Sequence, residues 1–287
     1  MRLGVAGAII PRRTSEVTEH VAARLAELGF TGVGCHFMGD PETMPATELA
    51  RVRDLLPAYG IRIAQSWGWQ QPLVHADPGV RAQGVARLRH ALRVAADLGA
   101  AMVMSGPGSR NPAGPWSPHP DNHLPETEDA IVASLREVAP TCEAYRIPIA
   151  LECHVVSILD SPERVQRVLE RVDSPWIGVS LDPINFIPDL PTLYNSTGLV
   201  DELFDRLGPS ILGAHVKDAY VEDRLVIHIS ETIPGQGLFD LDTFFQRFEA
   251  VCPDGYALVE HLPDHLVPQA AAHIRGRLRE LGIPLRA

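Results

Sequence analysis

Glu152, Asp182, His215 and Glu260 each close a short apolar run: Ile147 to Glu152, Trp176 to Asp182, Ile211 to His215 and Tyr256 to Glu260. Runs that are apolar throughout, rather than at alternate positions, have the pattern of parallel strands buried on both faces. If such strands are neighbours in a barrel, their polar tips converge at one mouth. Three carboxylates and one imidazole there make a hard, oxygen-rich site for a divalent metal. Taken singly, Asp182 before Pro183 reads as a turn residue bonded to its own backbone, and His215 as a satisfied core histidine. The joint reading as ligands rests on all four falling at the same end of successive strands.

A proton beside a ketone is hard to remove unless the resulting enediolate is stabilised, and a divalent cation on the ketone and adjacent hydroxyl oxygens does that directly. A carboxylate that holds the metal can still take the proton if its other oxygen faces the substrate. Glu152 and Glu260 are the candidates for that acid/base work. His154 lies two residues beyond Glu152, and Lys217 shares the facing of His215; both are candidate catalytic groups.

The chain alternates eight times between a short apolar run and a longer amphipathic segment, as a (β/α)8 TIM barrel requires. The expected strands cover residues 2–6, 32–36, 61–65, 100–104, 147–152, 176–182, 211–217 and 256–260. Val85, Leu88, Leu92 and Ala95 fall on one helical face, as do Ile131, Leu135, Val138 and Cys142 behind a Thr127 cap. Ser161-Pro162-Glu163 starts a helix with a cap residue and proline at its first position, and Val165, Val168, Leu169 and Val172 then face inward. Phe244, Phe245, Phe248 and Val251, then Ile274, Leu278 and Leu281, continue the pattern. Leu28-Gly29, Tyr59-Gly60 and Leu98-Gly99 mark helix ends.

Long connections are expected after strands 4, 6 and 7, over residues 105–126, 183–196 and 218–237, on the face where barrel enzymes keep their chemistry. The third contains Asp218, Arg224, His228 and Gln236, which with Asn185 and Trp67 form the candidate substrate-binding set. Trp67-Gly68-Trp69 offers flat apolar surface for stacking on a sugar or aglycone ring. Gly106-Pro107-Gly108-Ser109-Arg110 lacks phosphate-loop spacing, although Arg110 keeps phosphorylated substrates open. Trp116, His119 and His123 read as lid or partner surface.

At 287 residues, 45% of them hydrophobic, the chain suits one undivided domain over 1–287. A net charge of −11 argues against nucleic acid as partner. Cys35, Cys142, Cys153 and Cys252 form no CxxC pair, which points to reduced thiols rather than a disulfide framework. Without an apolar leader or a span of membrane length, the expectation is a cytoplasmic protein with no membrane partner.

The Glu, Asp-x-x-Asn, His-x-Lys-Asp and terminal Glu signatures, with the Pro234-Gly235-Gln236-Gly237 segment, resemble the xylose-isomerase-like barrels of the sugar-phosphate isomerase/epimerase superfamily. The resemblance spans most of the chain. It implies one Mn2+, with Mg2+ or Co2+ as alternatives, held by Glu152, Asp182, His215 and Glu260, and two glutamates on opposite faces of a carbohydrate substrate. Related ketose 3-epimerases carry a histidine three positions after the metal aspartate and a second glutamate six after the first; Asn185 and Ile158 stand there in this chain, so that substrate clamp is not reproduced. The DNA-repair endonucleases that share the barrel need extra histidine ligands for a three-zinc cluster, and Asn185 removes one. The leading expectation is a metal-dependent isomerase or epimerase of a keto-sugar or polyol ketone. A lyase or dehydratase using the same enolate is the alternative, including the larger subunit of a C-glycoside deglycosidase that acts on 3-oxo-glycosides. A non-catalytic sugar-binding barrel is the third. A homo-oligomer is expected, and the resemblance adds a small β-rich partner subunit as an option.

Overall fold

A computed structural model describes residues 1–69 and 71–286. The strands are β1 (Arg2–Ala6), β2 (Gly32–Cys35), β3 (Arg62–Trp67), β4 (Val103–Ser105), β5 (Ile149–Leu151), β6 (Ile177–Leu181), β7 (Ile211–Val216), β8 (Asp218–Val221), β9 (Ile229–Thr232) and β10 (Tyr256–Val259). The helices are α1 (Glu19–Glu27), α2 (Ala46–Leu55), α3 (Pro78–Leu98), α4 (Pro125–Tyr145), α5 (Pro162–Val172), α6 (Leu190–Tyr194), α7 (Ser196–Leu207), α8 (Leu241–Val251) and α9 (Val267–Glu280). Eight strands close in the order β1-β10-β7-β6-β5-β4-β3-β2, and their pairs are parallel. The (β/α)8 expectation therefore holds.

The closure brings Glu152, Asp182, His215 and Glu260 together, because β5, β6, β7 and β10 are consecutive staves. Sequence places β10 after an inserted hairpin, but hydrogen bonding makes it the neighbour of β7. The fourth strand begins at Val103 rather than at residue 100. The Ala100 amide is engaged with Ala95 O, closing α3, while Gly99 takes the left-handed φ of 67° that ends that helix.

Helix faces follow the apolar periodicity. Val85, Leu88, Leu92 and Ala95 of α3 are buried, as are Ile131, Leu135, Val138 and Cys142 of α4. Ser161 caps α5 by accepting from Arg164 N. Two details differ from expectation. The cap position of α4 is Leu124, and Thr127 lies inside the first turn, where its hydroxyl donates to Asp121 O and accepts from Arg110 Nε. Val251 is 39% exposed because α8 ends there and the chain turns away.

The expected third loop is ordered as an antiparallel hairpin of β8 and β9. Asp218 anchors its return. Its carboxylate accepts from the amides of Ala219, Gly235, Gly237 and Phe239 at 2.8 to 3.1 Å. This packing requires glycine at 237, since a Cβ there would lie 2.1 Å from Asp218 Oδ1.

Candidate metal centre and its cavity

Each of the four convergent side chains leaves the barrel at or just past a strand end, where the backbone is still held. Glu152 N donates to Ser105 O, one residue beyond β5. Asp182 caps the short turn after β6, its Oδ1 accepting from Ile184 N at 3.1 Å. That bond is the local turn role open to this residue on sequence grounds, and it leaves Oδ2 free to point inward. His215 lies inside β7, and Glu260 follows β10 directly.

All four are buried, and one donor atom from each lies within 4.8 Å of the others. His215 Nδ1 is 3.2 Å from Glu152 Oε1, 3.1 Å from Glu260 Oε2 and 3.9 Å from Asp182 Oδ2. Lys217 Nζ enters the same cluster, 2.7 Å from Asp182 Oδ2, 3.1 Å from Glu260 Oε2 and 3.4 Å from Glu231 Oε1. Asp182 Oδ2, Glu260 Oε2 and Lys217 Nζ are nevertheless buried without a directed hydrogen bond. Buried polar atoms rarely go unpaired. Three oxygen ligands and one imidazole, with two of the oxygens unpaired, fit a divalent cation.

The electrostatics point the same way. Burial lowers the proton affinity of His215, but Glu260 and Glu152 more than reverse this and carry its pKa up to about 10. Burial likewise disfavours charge on Lys217, yet Asp182, Glu260, Glu152 and Glu231 hold it protonated well above its ordinary value. Glu260 is kept far below the usual carboxylate range because His215 and Lys217 outweigh its own burial. Asp182 goes the other way: burial pushes it up, against the pull of Lys217 and His215. A proton on His215 and a cation near Nδ1 compete for one lone pair, so metal binding would release that proton.

Above the cluster opens a cavity of about 960 Å³ whose wall includes Glu152, Glu260, His154, Asn185 and Trp67. Asn185 Nδ2 lies 3.4 Å from Glu152 Oε1. His154 is half-buried, its Nδ1 accepts from Val156 N, and burial lowers its pKa. Trp67 packs against His36, the ring centroids 4.5 Å apart and the planes tilted by 40°. Trp69 and Trp116 complete an aromatic side. Asp218 is buried beneath the hairpin with its carboxylate engaged by amides, and it does not line the cavity. Arg224, His228 and Gln236 do not line it either. Arg224 pairs with Glu222 at 3.0 Å, the backbone of His228 accepts from Glu222 N, and Gln236 is exposed. The hairpin turns their part of the loop outward and presents Glu231 instead. Arg110, tied to Thr127 Oγ1, also lies outside the cavity wall.

Five residues join the site that the chemistry-bearing motifs did not single out. Gln65 Nε2 lies 3.0 Å from His215 Nε2. Glu231 accepts from His261 Nδ1 at 2.9 Å, and His261 Nε2 is 3.6 Å from Glu260 Oε2. His261 holds a left-handed φ of 57°, a conformation that costs energy in a non-glycine residue. His36 and Arg12 also line the cavity. Gln65 and His36 each end an expected strand, at 61–65 and 32–36, so the rule that picks out the four ligands would have found both. Nothing in the local sequence marks Glu231 or His261.

The family model of xylose isomerase-like TIM barrels matches residues 22–281. The chain belongs to this family. Among curated relatives, the 3-oxo-isoapionate decarboxylase of Pectobacterium atrosepticum is 30% identical over 143 residues, 48% of this chain and 48% of that protein. The chain thus matches about half the length of that relative. Solved structures share this xylose isomerase-like fold at lower identity. A barrel from Mycobacterium smegmatis in complex with magnesium superposes with a TM-score of 0.73 at 15% identity, covering 98% of this chain and 96% of that one. The 3-keto-D-glucoside 4-epimerase of E. coli superposes with a TM-score of 0.68 at 17% identity, covering 96% and 99%. No helix among the described residues is long and apolar enough to cross a membrane.

Proposed function

We propose that this chain is a divalent-metal-dependent isomerase or epimerase of a keto-sugar or polyol ketone. The observation that carries the reading is the placement of Glu152 and Glu260. They stand on the outer staves of the β5-β6-β7-β10 group and flank His215 Nδ1, and of the four clustered residues only these two also line the cavity. Glu152, Asp182, His215 and Glu260 would hold the ion, which supplies Lewis-acid stabilisation of the negative charge that develops on the ketone oxygen.

One glutamate takes the proton from the carbon beside the ketone, and the C–H electron pair becomes the C=C bond of an enediolate. The other glutamate returns a proton. Return to the opposite face of the same carbon inverts it; return to the neighbouring carbon moves the carbonyl. Lys217 holds Asp182 and Glu260 in place and keeps their combined charge tolerable in a buried setting. Trp67, Trp69 and Trp116 provide apolar faces for a sugar ring and limit water at the reacting carbon.

A second reading, a lyase, is favoured by the partial match to a decarboxylase. A 3-oxo acid that loses CO2 leaves the C–C electron pair in the same kind of enolate, which a protonated glutamate then quenches. Incubating the metal-loaded protein with keto-sugars, 3-oxo-glycosides and 3-oxo sugar acids in D2O separates the readings. Carbon-bound deuterium in a rearranged keto-sugar supports isomerisation, whereas CO2 or alkene formation supports the lyase. Failure to exchange or convert any of a broad keto-sugar panel by a folded, metal-loaded protein would reject both.

A further inference from the structure

The cavity wall carries both signs of charge. Glu152, Glu260 and Glu231 line it. Arg12 lines it too, and its side chain forms no ion pair with a carboxylate among the described residues. A free guanidinium on the wall of an otherwise acidic cavity is a notable placement, since Arg side chains normally find carboxylate partners and present a fork suited to them.

The backbone holds Arg12 there. Arg12 O accepts from Met38 N at 2.7 Å, and the preceding turn is pinned where Asp264 Oδ1 accepts from Ile9 N at 2.9 Å. Ile9 takes a φ of 63°, a costly value for a β-branched residue, so this segment is constrained rather than loosely draped. His36 packs against Trp67 at a tilt of 40°, lies within electrostatic reach of Glu260, Glu152 and Arg12, and has a buried Nε2 with no hydrogen-bond partner. Trp69 Nε1–H is a second buried donor of the same wall without an acceptor.

We propose that Arg12, with the unpaired ring nitrogens of His36 and Trp69 as accessory partners, forms an anion-binding point on the cavity wall, and that the substrate is a keto-sugar bearing a carboxylate or phosphate. This rests on the reading of Glu152 and Glu260 as the reacting groups. The Arg12 guanidinium attracts an acidic group and so selects among the orientations in which a ketone can meet Glu152 and Glu260.

The test is titration calorimetry of the Mg2+-loaded full chain with D-gluconate, sorbitol and sorbitol 6-phosphate. At least one anion should bind roughly tenfold or more tightly than sorbitol, the scale of a charge-assisted contact. Arg12→Gln should abolish that preference and leave sorbitol affinity unchanged, and Arg12→Lys should restore part of it. Preference for gluconate marks a carboxylate, and preference for sorbitol 6-phosphate marks a phosphate. If neither anion outbinds sorbitol, or if the preference survives Arg12→Gln, the inference is overturned. Deuterium exchange, measured separately, reports on Glu152 and Glu260: exchange without an Arg12-dependent preference leaves the proposed function standing and removes this inference, and the converse result does the opposite.

Discussion

The amide of Gln65 on β3 reaches across the barrel to His215 on β7, its nitrogen 3.0 Å and its oxygen 3.4 Å from the ring Nε2. The far ring nitrogen is thereby held while Nδ1 faces Glu152 and Glu260. Nδ1 offers a lone pair when Nε2 carries the ring proton and Gln65 turns its amide oxygen toward it. Gln65→Leu should weaken divalent-cation binding by about 10- to 100-fold, as loss of such supporting contacts does elsewhere. Calorimetric titration with Mn2+ checks this, and unaltered affinity would remove Gln65 from any positioning role.

Glu152→Gln and Glu260→Gln should each cut solvent-deuterium exchange by about 100- to 10,000-fold, the usual range for loss of a positioned acid or base. Each variant should remain folded. Near-normal exchange in either, with metal bound, would refute the two-glutamate scheme.

Metal and Lys217 should be coupled in stability. A bound ion at a hundred times its dissociation constant stabilises the native state by about 2.7 kcal/mol, so chelation should lower the melting temperature. Lys217→Met leaves Asp182 and Glu260 without their ammonium and should destabilise the metal-free protein by about 3–5 kcal/mol. Divalent cation should then stabilise this variant more than the wild type. Equal melting shifts on metal addition would contradict the coupling.

Asp218→Ala removes the acceptor of four backbone amides and should cost about 1–3 kcal/mol. Hydrogen exchange should rise at Gly235, Gly237 and Phe239 first. Because the same hairpin carries Glu231 into the cavity, activity should drop alongside stability. Unchanged exchange across this segment would show that the turn is held by other means.

Glu128 on α4 accepts from Arg167 Nε and Nη2 at 3.0 and 2.7 Å and from Arg171 Nη1 at 2.8 Å on α5. Its pKa is lowered, chiefly by the Arg167 bond against the cost of burial. A depressed folded-state value means the stabilisation is present above the unfolded carboxylate value of about 4.3 and is lost as pH falls through the lower folded value. Denaturant unfolding should therefore show Glu128→Gln less stable by about 1–2 kcal/mol at pH 7, with the gap closing below pH 4. A gap that persists at pH 3 would mean the contribution is packing rather than charge.

The apolar runs, the helical periodicities and the residues that close the strands were legible in the chain, because burial on both faces and a 3.6-residue repeat leave a local imprint. That is why the barrel and the Glu152, Asp182, His215 and Glu260 set could be read, and why the same rule reaches Gln65 and His36. Tertiary structure alone decided the rest. Whether a residue between β7 and α8 faces the cavity depends on how the chain folds back on itself, and the β8-β9 hairpin turned Glu231 inward while directing Arg224, His228 and Gln236 elsewhere. Asp218 reads from sequence as a substrate contact, and only the folded loop turns it into an anchor for four amides. Arg12 belongs to the cavity only because closure of β1 against β10 and β2 brings the two ends of the chain to one mouth. Strand and helix patterns arise from neighbours in sequence, whereas the charges that line this cavity are brought together by neighbours in space.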